Sequence, residues 1–280
     1  MHGFAFYVAA HVLIAALYLL LAQRVWASLA LDADGHGGAR LHRWGLPAVA
    51  LGHGALVLTG ALGGDVFRFG FALALSATLW LTVLILWFEG FFVPLRGLLP
   101  LVLPAAAVAT LLPLPFPGTV VAADRTLGFE LHLLAAILAY SLLTIAALHA
   151  TLMAALDRQL HRGVGGERGE PSRLFRHIPP LLAMERLLFR LIGAGFALLT
   201  VTVASGLLFS ESLFGRALRF EHKTVFALAA WLIFGGLLAG RLVFGWRGRV
   251  ALRWTLAGFA MLLLAYVGSR FALEVVFGRG

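Results

Sequence analysis

The sequence predicts an all-α, polytopic transmembrane helical bundle, and two observations carry that prediction. Apolar stretches long enough to cross a bilayer recur along the whole chain, and basic residues gather in alternate connections between them. Of the 280 residues, 61% are hydrophobic and 12% charged, and the mean hydropathy is +0.94, far outside the composition of a soluble globular domain. A helical run of about 20 apolar residues spans the hydrocarbon layer.

Eight spans are expected. The first, 3–24, reads GFAFYVAAHVLIAALYLLLAQR and has neither the basic n-region nor the small-residue cleavage site of a signal peptide, so a retained span is expected. The second, 44–62, carries His53 near its middle. The third, 69–88, leaves only Trp87-Phe88-Glu89-Gly90 as a tight connection to the fourth, 91–112, in which Pro94, Pro100 and Pro104 predict an irregular or kinked helix. The fifth, 129–153, starts beside Glu130 and His132. Then come 184–209, 223–244 and 251–275; in the seventh, Gly235, Gly236 and Gly240 favour close helix approach. The whole chain, 1–280, reads as one membrane domain. Its longest loop, about 154–182, is rich in glycine and charge and fits a flexible connection whose arginines can meet anionic headgroups.

Orientation follows from the basic residues. Arg24, Arg40 and Arg43 follow the first span, Arg96 lies near the third connection, five arginines from Arg158 to Arg176 crowd the fifth, and Arg247, Arg249 and Arg253 crowd the seventh. The positive-inside rule puts these connections in the cytoplasm and both termini outside. The formal net charge of +9 is therefore topological; the partner it implies is the lipid bilayer, and no nucleic-acid surface is expected. Cysteine is absent, which excludes disulfides, thiolate metal ligands and CxxCH cofactor attachment by this chain. No phosphate loop, dinucleotide fingerprint, HExxH helix or nucleophile elbow is present, so there is no recognisable catalytic constellation.

What remains to carry chemistry is imidazole. His132, at the outer start of the fifth span, and His222, just before the seventh, fall at the same membrane face. Such a pair can supply two neutral imidazoles to the iron of haem b, with Arg125, Arg216, Arg219 or Lys223 balancing the propionates. Glu130 and Glu221 are then candidate acceptors behind the ligands. The alternative is a hydrated interfacial histidine in each case. His11 and His53 lie deeper, where an ionisable side chain is costly. They suit a second haem, a polar relay for its transfer, or plain cross-helix hydrogen bonding. Interfacial placement is expected for His149 and His177, and His2, His36, His42 and His161 carry no stronger signal. Trp44, Trp80, Trp87, Trp231, Trp246 and Trp254 read as packing or belt residues. Glu185 with Arg186, and Ser269-Arg270 with Glu274, read as snorkelling groups or internal pairs.

The last third is more specific. PPLLAMERLLFRLIGAGFALLTVTVASG, followed by HKTVFALAAWLIFGGLLAGRLVFGWRGRVALRWTLAGFAMLLLAYVGSRF, resembles the cytochrome c assembly family. The likeness is to its short branch of eight-span bacterial inner-membrane proteins related to CcsA and HemX. It is strongest over residues 179–271. The resemblance implies haem b handling at the outer face, with His132 and His222 nearest to the outer ligands and His11 and His53 on a transfer path. It also implies partners in cytochrome c maturation or haem biosynthesis. The tryptophan-rich WGxxWxWD loop of full synthases is replaced here by LFGRALRFEHKT, so haem binding is implied ahead of independent synthase activity. Two other readings stay open. One is a small-solute or ion transporter using His11, His53 and the broken fourth helix; the other is a noncatalytic membrane assembly scaffold.

Overall fold

The computed structural model describes residues 2–30, 41–62, 67–91, 97–120, 126–163, 181–208, 222–272 and 275. Within them the chain forms eight principal helices: α1 (His2–Ala30), α2 (Leu46–Leu62, entered through a π-helical turn at Leu41–Gly45), α3 (Phe71–Glu89), α4 (Leu99–Leu111), α5 (Leu127–Gly163), α6 (Leu181–Leu208), α7 (His222–Phe244) and α8 (Gly248–Leu263). Helix α8 continues through a π-helical turn, Leu264–Gly268, into a last turn, Ser269–Phe271. Seven helical segments are long and apolar enough to cross a membrane.

The eighth, α4, corrects the expected fourth span. It has 13 residues, about 20 Å at 1.5 Å per residue against a hydrocarbon layer of about 30 Å. It begins at Leu99 rather than residue 91. Pro100 sits in its first turn, where a missing N–H is harmless, and Pro104 lies inside it. Pro94 falls outside the described residues. The fifth helix also departs from expectation, running to Gly163, so the loop drawn from about 154 starts ten residues further on; residues 164–180 lie outside the described region.

A feature absent from the sequence reading fixes the α3–α4 hairpin. Arg68–Phe69 (β1) pairs antiparallel with Thr119–Val120 (β2), Arg68 opposite Val120 and Phe69 opposite Thr119. The ladder brings the chain back to the end of the bundle from which α3 set out. Aromatic rings close over that end: Phe71 lies 5.1 Å from Phe116 and 5.4 Å from Phe271, and Phe69 lies 5.9 Å from Tyr266.

The helices sort into two groups. Helix α1 packs along α4, and α3 lies against both α2 and α4; in the second group α5 packs most extensively on α6, and α7 on α8. The seam between the groups is α3 against α5 and against the π-helical turn after α8. At the seam the Ser141 hydroxyl of α5 is shared between the Ile137 carbonyl of its own helix, at 2.8 Å, and the Thr78 carbonyl of α3, at 3.1 Å. Helix α1 is apolar nearly all round, as a helix between lipid and protein must be. Phe4, Phe6, Val12 and Leu13 face outward, while His11, Ala15, Tyr18 and Leu21 are buried.

Candidate functional site

The first group of helices is built around His53. It is fully buried and reached by polar side chains from three other helices. Tyr18 of α1 lies 3.1 Å from Nδ1, and Ser76 of α3 and Thr110 of α4 lie 2.8 and 3.2 Å from Nε2. The protons can be assigned. Thr110 donates its hydroxyl hydrogen to the Ala106 carbonyl at 2.7 Å, so toward His53 it can only accept. Nε2 therefore carries the proton, shared between Thr110 and Ser76, and Nδ1 accepts from the Tyr18 hydroxyl. Both ring nitrogens are spent.

The backbone of α2 leaves room for this. A Cβ on Gly54 would fall 2.6 Å from the Trp80 ring. The Trp80 indole N–H donates to the Ala50 carbonyl at 2.8 Å, holding α2 and α3 together one turn from His53. His11 is buried on α1. Its Nδ1–H donates to the Tyr7 carbonyl at 2.9 Å, with the Tyr7 ring 4.2 Å away, which leaves the lone pair on Nε2. Tyr7, His11 and Tyr18 are spaced by four and seven residues and share one face of α1. That spacing is the signal by which the two tyrosines could have been found.

The second group holds His132, two turns into α5 and half-buried. Its Nδ1 lies 2.7 Å from the Ser205 hydroxyl of α6. Ser205 also reaches the Thr202 carbonyl at 3.1 Å; with its hydrogen there it accepts from His132, and the imidazole lone pair is on Nε2. Gly206 lies along the ring edge, where a Cβ would come within 3.5 Å of Cε1. An imidazole whose second nitrogen is anchored by hydrogen bonding has the form metal-ligating histidines take. Ser205 was not singled out by the sequence, being 73 residues from its partner.

His222 opens α7 and is exposed, as is the neighbouring Lys223. Helix α6 ends and α7 begins at the same end of the bundle, and the His132–Ser205 bond pins the start of α5 to that end. Arg125, Arg216 and Arg219, together with Glu221, lie outside the described residues. Among the described residues no three of His, Asp and Glu converge as a metal-binding group; two axial positions are all that a porphyrin-bound iron asks of a protein.

Other expectations change. His149 is buried within the protein, 1% exposed. Glu185 pairs not with Arg186 but with Arg241 of α7, at 3.4 Å, and more distantly with Arg247, at 3.9 Å. Arg241 also lies 3.5 Å over the Phe189 ring. Ser269 donates to the Ala265 carbonyl at 2.8 Å, whereas Glu274 falls outside the described residues. Trp231 donates to Thr200 at 2.9 Å, and Trp246 and Trp254 pack on Gly240 and Gly236 of α7, which accounts for the glycine stripe.

An all-α membrane bundle with polar sites organised by intramembrane histidines defines the class. The chain belongs to the cytochrome c assembly protein family, whose model matches residues 45–277. It is similar to an uncharacterized 28.8 kDa protein of Azospirillum brasilense, with 31% identity over 94% of this chain and 96% of that one. It is similar also to the inner membrane protein YpjD of Escherichia coli K12, 32% identical over 64% of this chain and 65% of the relative. Against the cytochrome c biogenesis protein CcsA of Rippkaea orientalis the identity is 28%, over 36% of this chain and 32% of the relative. No solved structure matches the chain.

Proposed function

We propose that this protein is a multi-pass bacterial inner-membrane protein that binds haem b and acts in cytochrome c assembly or membrane haem trafficking, as one membrane domain of the short CcsA/HemX-like branch. In this reading the chain crosses eight times, α4 with its apolar flanks completing the fourth crossing. The basic connections face the cytoplasm and both termini lie outside. Family membership over residues 45–277 supports the broad assignment. The observation that carries the haem assignment is the His132–Ser205 pair, at 2.7 Å, because a hydrogen bond at Nδ1 supports Nε2 as the ligating nitrogen.

His132 and His222 would hold the iron, and Lys223 with Arg125, Arg216 and Arg219 would balance the propionates at the same end. Bound haem would supply the iron and its redox chemistry. The chain's own residues orient one imidazole, provide an apolar surround and supply countercharge. His11 and His53 are assigned to a polar relay rather than a second ligand pair, since both His53 nitrogens are already bonded. Partners would be haem and proteins of cytochrome c maturation or haem biosynthesis.

The test is a reduced-minus-oxidised spectrum with pyridine haemochrome quantification on detergent-purified protein, beside His132→Ala and His222→Ala. Near-stoichiometric haem b, lost in either variant, is expected. Protein free of haem when purified from haem-replete cells would sink resident binding and favour a scaffold or a small-solute transporter. Haem-independent transport that disappears on changing His11 or His53, and survives the His132/His222 double change, would select the transporter.

A further inference from the structure

At the opposite end of the second group, α7 and α8 are joined by Gly245-Trp246-Arg247. Gly245 has φ +66°, the left-handed conformation that ends a helix, and its N–H bonds the Arg241 carbonyl at 3.1 Å. Leu242, Val243 and Phe244 just before it are each more than 70% exposed, an apolar rim expected where a helix meets lipid.

Helix α8 leaves this turn with two contrasting faces. Ala251, Leu252, Thr255, Gly258 and Leu262 are buried. Arg249, Arg253, Leu256, Ala257, Ala260 and Leu264 are exposed, at spacings that gather them into one stripe. Two guanidinium groups therefore head an apolar, lipid-facing strip whose middle is two alanines, a shallow channel. Arg253 lies five residues inside the helix, about 7.5 Å from its start, so its charge must reach back toward the headgroup layer.

The charges there are not balanced. Arg249 donates Nε–H to Asp157 of α5 at 2.8 Å and is still 58% exposed. Glu185 is taken by Arg241 and Arg247. Among the described residues Arg253 makes no ion pair. A ligand suited to this stripe carries a phosphodiester at one end, to meet two guanidiniums, and an apolar chain at the other, to lie over Ala257 and Ala260.

We propose that Arg249 and Arg253 bind the headgroup of an anionic phospholipid whose acyl chain runs along Leu256, Ala257, Ala260 and Leu264. The site belongs to the second group of helices and is separate from the histidines. It does not depend on haem.

The experiment is native mass spectrometry of the full chain, released from detergent containing equal amounts of phosphatidylglycerol and phosphatidylcholine. Retention of phosphatidylglycerol is expected to exceed that of phosphatidylcholine. It should fall about fivefold for each of Arg249→Gln and Arg253→Gln, the scale of a basic residue at an anionic surface. Ala260→Phe, which fills the channel without changing charge, should lower it too. Arg43→Gln, at an exposed arginine over Trp44 in the π-helical turn before α2, should leave it unchanged. Equal retention of the two lipids, or arginine variants that match the parent protein, overturns the proposal. So does displacement of the bound lipid by millimolar inorganic phosphate, which would make this a site for a soluble anion.

Discussion

The two groups of helices hold their histidines in different ways. In α1–α4, His53 is held by Tyr18, Ser76 and Thr110 and has no nitrogen left to offer. In α5–α8, Nδ1 of His132 is hydrogen-bonded to Ser205, the arrangement in which metal-ligating histidines use Nε2. A histidine ringed by hydroxyls from three further helices ties those helices together, whereas His132 joins α5 to α6 through Ser205 and is the histidine that the proposed haem site uses. The same residue type at similar membrane cost is thus separated by its partners into a structural hub and a candidate ligand.

The sharpest way to break this comparison is to exchange the two losses. His132→Ala is expected to abolish resident haem b, while His53→Asn should keep haem at the parent ratio in whatever fraction folds. Pyridine haemochrome per mole of monodisperse protein measures both. Haem lost equally from the two variants would mean that His53 is a ligand after all and that the network rearranges when haem arrives.

The next effect is on folding alone. Gly54→Leu drives a side chain into the Trp80 ring, where even a Cβ would sit 2.6 Å away, and overpacking of this kind costs about 1–3 kcal/mol. A lowered midpoint of unfolding in mixed detergent and SDS micelles is expected, with haem per folded molecule unchanged. Ser205→Ala should do the reverse. Removing a ligand's hydrogen-bond partner lowers affinity by roughly 10- to 100-fold, so haem titration should weaken while the unfolding midpoint barely moves.

The fold was largely legible because membrane helices announce themselves by apolar length, and the chain offers that signal eight times. Pro100 and Pro104 also signalled that the fourth helix would be irregular. What they could not convey was its length, because the start of α4 at Leu99 depends on the connection before it. The β1–β2 ladder involves two residues per strand, too few for any alternation to be visible. The histidines were legible as costly residues, but their roles were not. Tyr18, Ser76 and Thr110 lie 35, 23 and 57 residues from His53, on helices whose mutual arrangement no periodicity encodes. His149 looked interfacial from its place near the end of a predicted span; its burial against other helices is a tertiary property that a span boundary does not convey.

The smallest effect is the most direct probe of the hub. Tyr18→Phe removes one hydroxyl, leaving Nδ1 of His53 without its donor while Nε2 keeps Ser76 and Thr110. Hydrogen bonds between membrane helices average about 0.6 kcal/mol and reach about 1.7; full burial of both partners argues for the upper part of that range, since no water is at hand to replace the lost bond. Thr110→Val removes a bond from Nε2, but Ser76 still accepts that proton, so its cost should be smaller. The double change should then cost little more than the sum, because the two hydroxyls bond different nitrogens. A double-mutant cycle on the unfolding midpoint measures the coupling directly. A coupling near zero fits the proton assignment made here, with Nδ1 accepting and Nε2 donating. A large one would mean that the ring flips when either partner is lost, and that His53 is a mobile element of the bundle instead of its fixed centre.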